Sequence, residues 1–156
     1  MRSVINLANP KGVDAIVKQQ FEFGKEIIAG GLVPIIEPEV NIKSAEKAEA
    51  EELLKKSLIE QANSLSGNQD IMLKLSIPTK TNLYQELVSH PRIVRVVALS
   101  GGYSREDANK LLAQNTGVIA SFSRALVEGL TAQLSDADFD KALDHSIQSI
   151  YDASIK

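Results

Sequence analysis

The sequence predicts an α/β protein built around a parallel sheet. Short apolar runs alternate with longer amphipathic stretches along all 156 residues, and this alternation is typical of βαβ units. No linker or low-complexity segment interrupts the pattern, so residues 1–156 are expected to form a single structural unit. A complete eight-stranded (β/α) barrel needs about 250 residues. An open, doubly wound sheet of four or five strands fits the observed length.

Five strands and six helices are predicted. The strands are expected at residues 1–5 (the end of a strand), 32–36, 71–77, 93–99 and 117–120. The helices are expected at residues 13–29, 45–65, 80–90, 104–114, 122–130 and 136–154. Ser104 and Ser135 each precede an acidic residue three positions later, which is the spacing of a helix N-cap. Gly30-Gly31 ends the first helix, and Pro38 favours the end of the second strand.

Composition excludes several classes of protein. The chain is 44% hydrophobic and 24% charged, which suffices for one ordinary core. A net charge of −3, without a basic patch interleaved with aromatic residues, argues against nucleic acid as a partner. The absence of cysteine excludes disulfides, thiol nucleophiles and thiolate metal sites. No run approaches the roughly 18 apolar residues of a membrane span, and the polar N-terminus does not resemble a signal peptide. A soluble, cytoplasmic protein is expected.

Lys74 is the most informative residue, because it lies in the middle of a strand-like run, IMLKLSI at residues 71–77. An ammonium buried without a partner is costly, so a lysine in such a place usually has a lowered pKa or extends to water. A lysine with a lowered pKa is a nucleophile suited to Schiff-base chemistry. Local sequence alone leaves both interpretations open.

Glu37 and Glu39 form a candidate carboxylate pair in LVPIIEPEV, residues 32–40. Strand side chains alternate between faces, so the two glutamates project to the same side. Paired carboxylates suit acid–base work, since each raises the other's affinity for protons. The alternative is two solvated glutamates where the strand enters a loop.

A candidate anion site follows the fourth predicted strand, where residues 99–103 read LSGGY. Glycines let backbone N–H groups approach a ligand closely, and the next helix adds positive potential at its N-terminus, so Ser100, Gly101 and Gly102 fit a phosphate site. Arg124, just past the last strand, could pair with the same anion. An ordinary turn and a surface arginine are the alternatives.

Neither a metal nor a cofactor is predicted. His90 precedes a proline at a helix exit and His145 lies on a polar helix face, and neither has a partner at metal-ligand spacing. Any chemistry is therefore expected to come from side chains alone.

Four segments together resemble one family. The segments LVPIIEPEV (32–40), MLKLSIPT (72–79), VVALSGGYSREDANKLL (96–112) and IASFSRAL (119–126) are similar to class I fructose-bisphosphate aldolases of the bacterial type. The resemblance covers essentially the whole chain, in order and with matching spacing. It implies a (β/α)8 barrel with its site at the C-terminal ends of the strands. This chain would supply roughly the second half of that barrel, strands 4–8 with their helices.

The resemblance also implies roles for single residues. Lys74 matches the Schiff-base lysine, Glu37 the acid–base group that moves protons during carbinolamine dehydration, and Glu39 a carboxylate of the same charge network. The remaining matches concern phosphate groups. They are Ser100, Gly101, Gly102, Ser123 and Arg124 for the C1 phosphate, with Arg2 near the second phosphate. Ser123 stands where better-known members have glycine.

The reaction that the resemblance implies is metal-free. Lys74 condenses with the C2 ketone of fructose 1,6-bisphosphate, and the iminium accepts electrons as the C3–C4 bond breaks. The products are glyceraldehyde 3-phosphate and dihydroxyacetone phosphate. The expected partner is thus a small sugar phosphate, with no nucleic acid and no membrane.

The chain matches only the family's second half. A fragment, a truncated gene model that starts at an internal methionine, and a true half-barrel are all consistent with this. Half a barrel leaves two unpaired strand edges, so self-association or pairing with a missing N-terminal half is expected, with little turnover by the chain alone. Two other classes stay open: a different Schiff-base lyase, and a non-catalytic half-barrel that binds sugar phosphate.

Overall fold

The computed structural model describes residues 2–156, so Met1, at the start of the first predicted strand, lies outside the described residues. Strands and helices alternate along the chain. In order they are β1 (Arg2–Ile5), α1 (Pro10–Ala29), β2 (Ile35–Val40), α2 (Lys47–Asn63), β3 (Ile71–Ser76), α3 (Gln85–Val88), β4 (Ile93–Leu99), α4 (Arg105–Leu112), β5 (Val118–Ala120) and α5 (Asp136–Ser154). No helix among residues 2–156 is long and apolar enough to cross a membrane.

The five strands form one parallel sheet in the order β1-β2-β3-β4-β5. Arg2 on β1 lies opposite Glu37 on β2, and Lys74 on β3 lies opposite Val97 on β4. Within the described chain, β1 and β5 each have one strand neighbour, so the sheet is open at both edges. All five strands run in the same direction, so their C-terminal ends lie at the same end of the sheet.

The hydrophobic core lies between the helices and one face of the sheet. Ile71, Leu73 and Leu75 are buried on this face of β3, whereas Met72 and Lys74 are half-buried on the other face. Strand side chains alternate in this way because successive residues point to opposite faces. The helices contribute the apolar side chains of Val13, Val17, Phe21, Leu54, Leu58, Ala108 and Leu112.

The second face of the sheet, together with its edges, is open to solvent. Val4 of β1 and Ile35 of β2 lie on this inner face and are 44% and 41% exposed. At the β5 edge, apolar side chains of β5 and α5, Ile147 and Tyr151 among them, line a cavity of about 470 Å³. A soluble domain rarely leaves such surface uncovered.

Two predicted helices differ from the structure. Residues 80–90 form only the single turn α3, because Asn82 has φ +59° and its side chain accepts the N–H of Thr116 (2.9 Å). Residues 122–130 are a series of turns. There Gly129 has φ +84°, and the preceding carbonyl, of Glu128, accepts from the Arg105 guanidinium (2.9 Å).

The second strand also differs from its prediction. It begins at Ile35 and continues through Glu37, Pro38 and Glu39 to Val40, so the expectation that Pro38 ends the strand is wrong. Proline is tolerated at this position because β2 and β3 leave regular pairing after Ile36. The capping predictions are confirmed, since Ser104 and Ser135 accept the N–H groups of Asp107 and Asp138.

Candidate active site

A polar cleft lies at the C-terminal ends of the strands. It has a volume of about 100 Å³ and receives side chains from β1 to β4 and from the segments that follow β4 and β5. Its lining residues are Arg2, Glu37, Glu39, Lys74, Leu99, Ser100, Gly101, Ser121, Ser123 and Arg124. The cleft thus brings together eight of the nine residues that the sequence singled out, and the ninth, Gly102, borders it.

Lys74 and Glu37 face each other across the strand pair β2–β3. The Lys74 Nζ lies 3.4 Å from Oε2 of Glu37, and the two side chains are 28% and 23% exposed. The lysine therefore is neither unpartnered nor fully buried: it has a carboxylate partner and an open path to the cleft. A ligand in the cleft can reach the amine and the carboxyl together.

Glu39 forms its ion pair with Arg2 and not with Lys74. Its Oε2 lies 2.7 Å from Nε of Arg2, and its side chain is only 11% exposed. Glu37 and Glu39 do lie on one face of β2, as the alternation predicted, but each is balanced by its own basic residue. Two carboxylates that each face a cation can take separate roles in one site.

The glycine turn after β4 forms one wall of the cleft. Gly101 and Gly102 have φ +63° and +106°, values that favour glycine. A β-carbon on Gly102 would lie 3.9 Å from Nη2 of Arg124, so the guanidinium stands beside the turn. Tyr103 packs behind it, half-buried, and burial, followed by the negative charges of Glu51 and Asp107, raises its pKa.

The arrangement has a definite chemical capacity. An amine beside a carboxyl can form an imine and exchange protons during dehydration. Backbone N–H groups in a glycine turn, a helix N-terminus at Ser104 and the Arg124 guanidinium can hold an anion a short distance away. A phosphorylated carbonyl compound fits these groups.

Sequence reasoning missed several residues. Leu99 and Ser121 line the cleft, and Ser121 directly follows β5. Gln20 lies on the buried face of α1, and its side chain accepts the N–H of Glu37 (2.7 Å). Ser76 bonds to Val40 beneath the carboxylates. Two features of the sequence could have indicated the last two residues. The polar Gln20 lies on an otherwise apolar face of α1, and Ser76 follows Lys74 by two positions, so it shares the same face of β3.

Residues 2–156 contain no group of three or more His, Asp or Glu side chains placed to hold a metal ion. The metal-free character of the chemistry remains a prediction.

The chain is similar in sequence to curated proteins. No protein-family model matches it. It is 58% identical over 156 residues to the class 1 fructose-bisphosphate aldolase of Porphyromonas gingivalis, covering all of this chain and 53% of that protein. It is 59% identical over 155 residues to the class 1 fructose-bisphosphate aldolase of Synechocystis sp., covering 99% of this chain and 52% of that protein. The chain therefore spans about half the length of the curated relatives it matches.

A solved structure has the same fold. The fructose-bisphosphate aldolase of Plasmodium falciparum, crystallised with TRAP and a small-molecule inhibitor, aligns with a TM-score of 0.72. The alignment covers all of this chain and 57% of that one at 20% identity, so it speaks to fold alone. Both the predicted resemblance and the predicted α/β part-barrel are confirmed.

Proposed function

We propose a function from one premise: this chain is homologous over its whole length to the class 1 fructose-bisphosphate aldolases, of which it spans about half. Its cleft is the Schiff-base half of an aldolase site, which acts on fructose 1,6-bisphosphate once a second polypeptide segment completes the barrel. The observation that carries this proposal is the 3.4 Å approach of Lys74 and Glu37 on neighbouring strands, in the cleft that Ser100 and Gly101 also line.

The first step is imine formation. The Lys74 amine attacks the C2 ketone, and Glu37 in its acid form donates a proton to the departing hydroxyl, so water leaves and an iminium remains. Glu37 is the suitable donor because its carboxyl already lies beside the amine. No metal enters this step, since the nitrogen itself becomes the electron acceptor.

The second step is carbon–carbon cleavage. The Glu37 carboxylate accepts the proton of the C4 hydroxyl, the C3–C4 electron pair moves to the iminium, and glyceraldehyde 3-phosphate departs. The enamine left on Lys74 is protonated at C3 and hydrolysed, which releases dihydroxyacetone phosphate and the free amine. Glu39, whose carboxylate pairs with Arg2, contributes negative charge to the same cleft and takes up no proton in these steps.

The phosphate-binding groups set the orientation of the substrate. The C1 phosphate is held by Ser100, Gly101, Gly102, Ser123 and Arg124, with backbone N–H groups and the guanidinium as donors. Arg2 is assigned to the second phosphate, for which its present contact with Glu39 would be shared or exchanged.

The partner is a polypeptide segment that completes the barrel. The support is physical: two free sheet edges, the exposed inner-face residues Val4 and Ile35, and the apolar cavity at the β5 edge. Alone, the residues 1–156 form a single part-barrel unit with little or no turnover. A cytoplasmic location is proposed as well, in keeping with a small soluble sugar phosphate as the substrate.

Capture of the imine tests the proposal. The purified chain is incubated with dihydroxyacetone phosphate, sodium borohydride is added, and the intact mass is measured, with Lys74→Met as the control. A stable adduct at Lys74 that is absent from the control supports the proposal. No adduct from folded protein contradicts it, and sugar-phosphate binding without capture would favour the non-catalytic half-barrel.

A further inference from the structure

The two carboxylates lie just where β2 leaves its regular pairing with β3. Regular pairing ends at Ile36, opposite Leu73. Alternate residues of a strand direct their N–H groups to the same neighbour, so the amide positions of Ile36, Pro38 and Val40 all face β3. Pro38 has no N–H to donate. The backbone ladder alone therefore does not hold Glu37 and Glu39 against the lysine strand.

A serine side chain replaces the missing backbone hydrogen bonds between β2 and β3. The N–H of Val40 donates to Oγ of Ser76 (3.0 Å), and the Ser76 hydroxyl donates back to the carbonyl of Val40 (2.7 Å). Ser76 is 1% exposed and Val40 is fully buried, so water does not compete for these bonds. One hydroxyl thus ties the C-terminal end of β2 to that of β3.

The bridge joins the two strands that carry the reacting groups. Ser76 follows Lys74 by two residues on the same face of β3, and Val40 directly follows Glu39. We propose that Ser76 is a positioning residue whose bridge to Val40 sets the separation between Lys74 and the carboxylates. The inference rests on the proposed function for the chemistry assigned to Lys74, whereas the bridge is a feature of the fold.

The physical reason is the free-energy cost of leaving buried hydrogen-bonding groups without partners. In Ser76→Ala the N–H and carbonyl of Val40 lose a buried partner, and unpaired buried backbone groups are unfavourable. The strand ends relieve this by moving apart or admitting water, which changes the 3.4 Å contact between Lys74 and Glu37. Ser76→Thr keeps the hydroxyl and favours strand geometry.

Two reactions at the same amine provide the test. The first is borohydride capture with dihydroxyacetone phosphate, measured as a rate against ligand concentration. The second is reductive methylation with formaldehyde and cyanoborohydride, which needs no aldolase chemistry. Peptide mass spectrometry reports the methylation of Lys74 and, in the same sample, that of Lys55 on α2. Lys55 matches Lys74 in side-chain exposure (26% against 28%) but pairs with Glu52 on its own helix, so its methylation reports general loosening.

For Ser76→Ala we expect the maximal capture rate to fall about a hundredfold, the typical effect of misplacing a reacting group by about 1 Å. The half-saturating ligand concentration should change by less than about threefold, since the phosphate groups are untouched. Methylation of Lys74 should rise about threefold as its ion pair with Glu37 loosens, with Lys55 unchanged. Ser76→Thr should restore both rates. Ser146→Ala, at an equally buried serine on α5, should match the unaltered chain.

Three results would overturn the inference: unchanged capture and methylation in folded Ser76→Ala, parallel changes at Lys74 and Lys55, or no recovery with threonine. If the alanine variant fails to fold, Ser76→Cys serves instead, because a thiol keeps the volume but bonds weakly. Capture that fails even in the unaltered chain, with methylation still responding to Ser76, would refute the proposed function and leave the positioning role standing.

Discussion

A β-carbon on Gly101 would lie 2.8 Å from Cγ2 of Ile42, so the glycine turn after β4 rests directly on the loop that follows β2. This contact links the proposed phosphate site to the strand that carries the carboxylates. Gly101 also has φ +63°, where a side chain costs about 1–2 kcal/mol. The position is thus closed to other residues for two independent reasons.

Gly101→Ala should therefore weaken phosphate recognition. We expect the dihydroxyacetone phosphate concentration for half-maximal borohydride capture to rise about tenfold, equivalent to about 1.4 kcal/mol, because the turn must shift away from Ile42. Adding Ile42→Ala should recover part of the loss by removing the clash. Gly31→Ala is the matched control, since Gly31 has φ +82° but no atom within 4 Å of its would-be β-carbon. Unaltered half-saturation in Gly101→Ala would contradict this prediction.

Lys47→Met should destabilise the chain strongly. Lys47 and Glu51 form a buried ion pair on α2, the ammonium also donates to the carbonyl of Ile77 (2.9 Å), and the carboxylate accepts the N–H of Thr79 (2.9 Å). Removing the cation leaves Glu51 buried and unpaired, so the free energy of unfolding should fall by about 3–5 kcal/mol.

Urea denaturation of Lys47→Met, Glu51→Leu and the double variant measures this coupling. We expect the double variant to be more stable than Lys47→Met, because it buries no unpaired charge. Strictly additive losses would show that the pair is uncoupled.

Tyr84→Phe should leave stability at neutral pH equal or higher, by up to about 1–3 kcal/mol. The Tyr84 side chain is buried, and no group among residues 2–156 hydrogen bonds to its hydroxyl. Burial, followed by the negative charges of Glu51 and Glu52, raises its pKa well above the ordinary value. The folded chain therefore holds this proton more tightly than the unfolded chain does.

The raised pKa of Tyr84 determines how the stability of the chain depends on pH. The stabilising contribution of the protonated phenol is complete below about pH 10, the unfolded pKa, and is lost as the pH rises above it. Tyr84→Phe should show a smaller decline in unfolding free energy between about pH 9 and 11. Some decline should remain from Tyr103, whose pKa is also raised. An unchanged alkaline slope in the variant would contradict the assignment to Tyr84.

Completion of the barrel should restore turnover. When the portion of the Porphyromonas gingivalis relative that this chain does not cover is co-expressed with it, we expect fructose 1,6-bisphosphate cleavage to exceed that of the chain alone about a hundredfold. A coupled assay for glyceraldehyde 3-phosphate measures this. Lys74→Met in the mixture should abolish the gain, and Ile147→Asp at the β5 edge should reduce it without unfolding the chain. Equal turnover with and without the added segment would refute the proposed partner.

Local patterns in the sequence were sufficient for most of the fold. Alternation placed Glu37 and Glu39 on one face of β2, the apolar run placed Lys74 within β3, and the serine caps marked the starts of α4 and α5. Propensity alone could not reveal that Asn82 would adopt a positive φ and shorten α3, because that conformation depends on its contact with Thr116. Residues 122–130 failed as a helix for a similar reason, a tertiary bond to Arg105.

The candidate site was predictable in its members but not in its pairings. The resemblance supplied the residues, whereas the partners of Glu37 and Glu39 depend on register: Arg2 reaches Glu39 although it lies opposite Glu37 in the β1–β2 ladder. The support from Gln20 and Ser76 depends on where Pro38 interrupts the pairing, which requires knowledge of the neighbouring strands.

The two free edges of the sheet have a consequence for cellular abundance. A segment that binds the folded chain at β1 and β5 stabilises it by mass action, so the apparent melting temperature rises with the concentration of that segment. Copies in excess of it are expected to be less stable and to be removed by proteases faster than assembled ones. For the proposed assembly, the steady level of this chain should therefore follow the supply of its complement, as for a subunit of an obligate assembly.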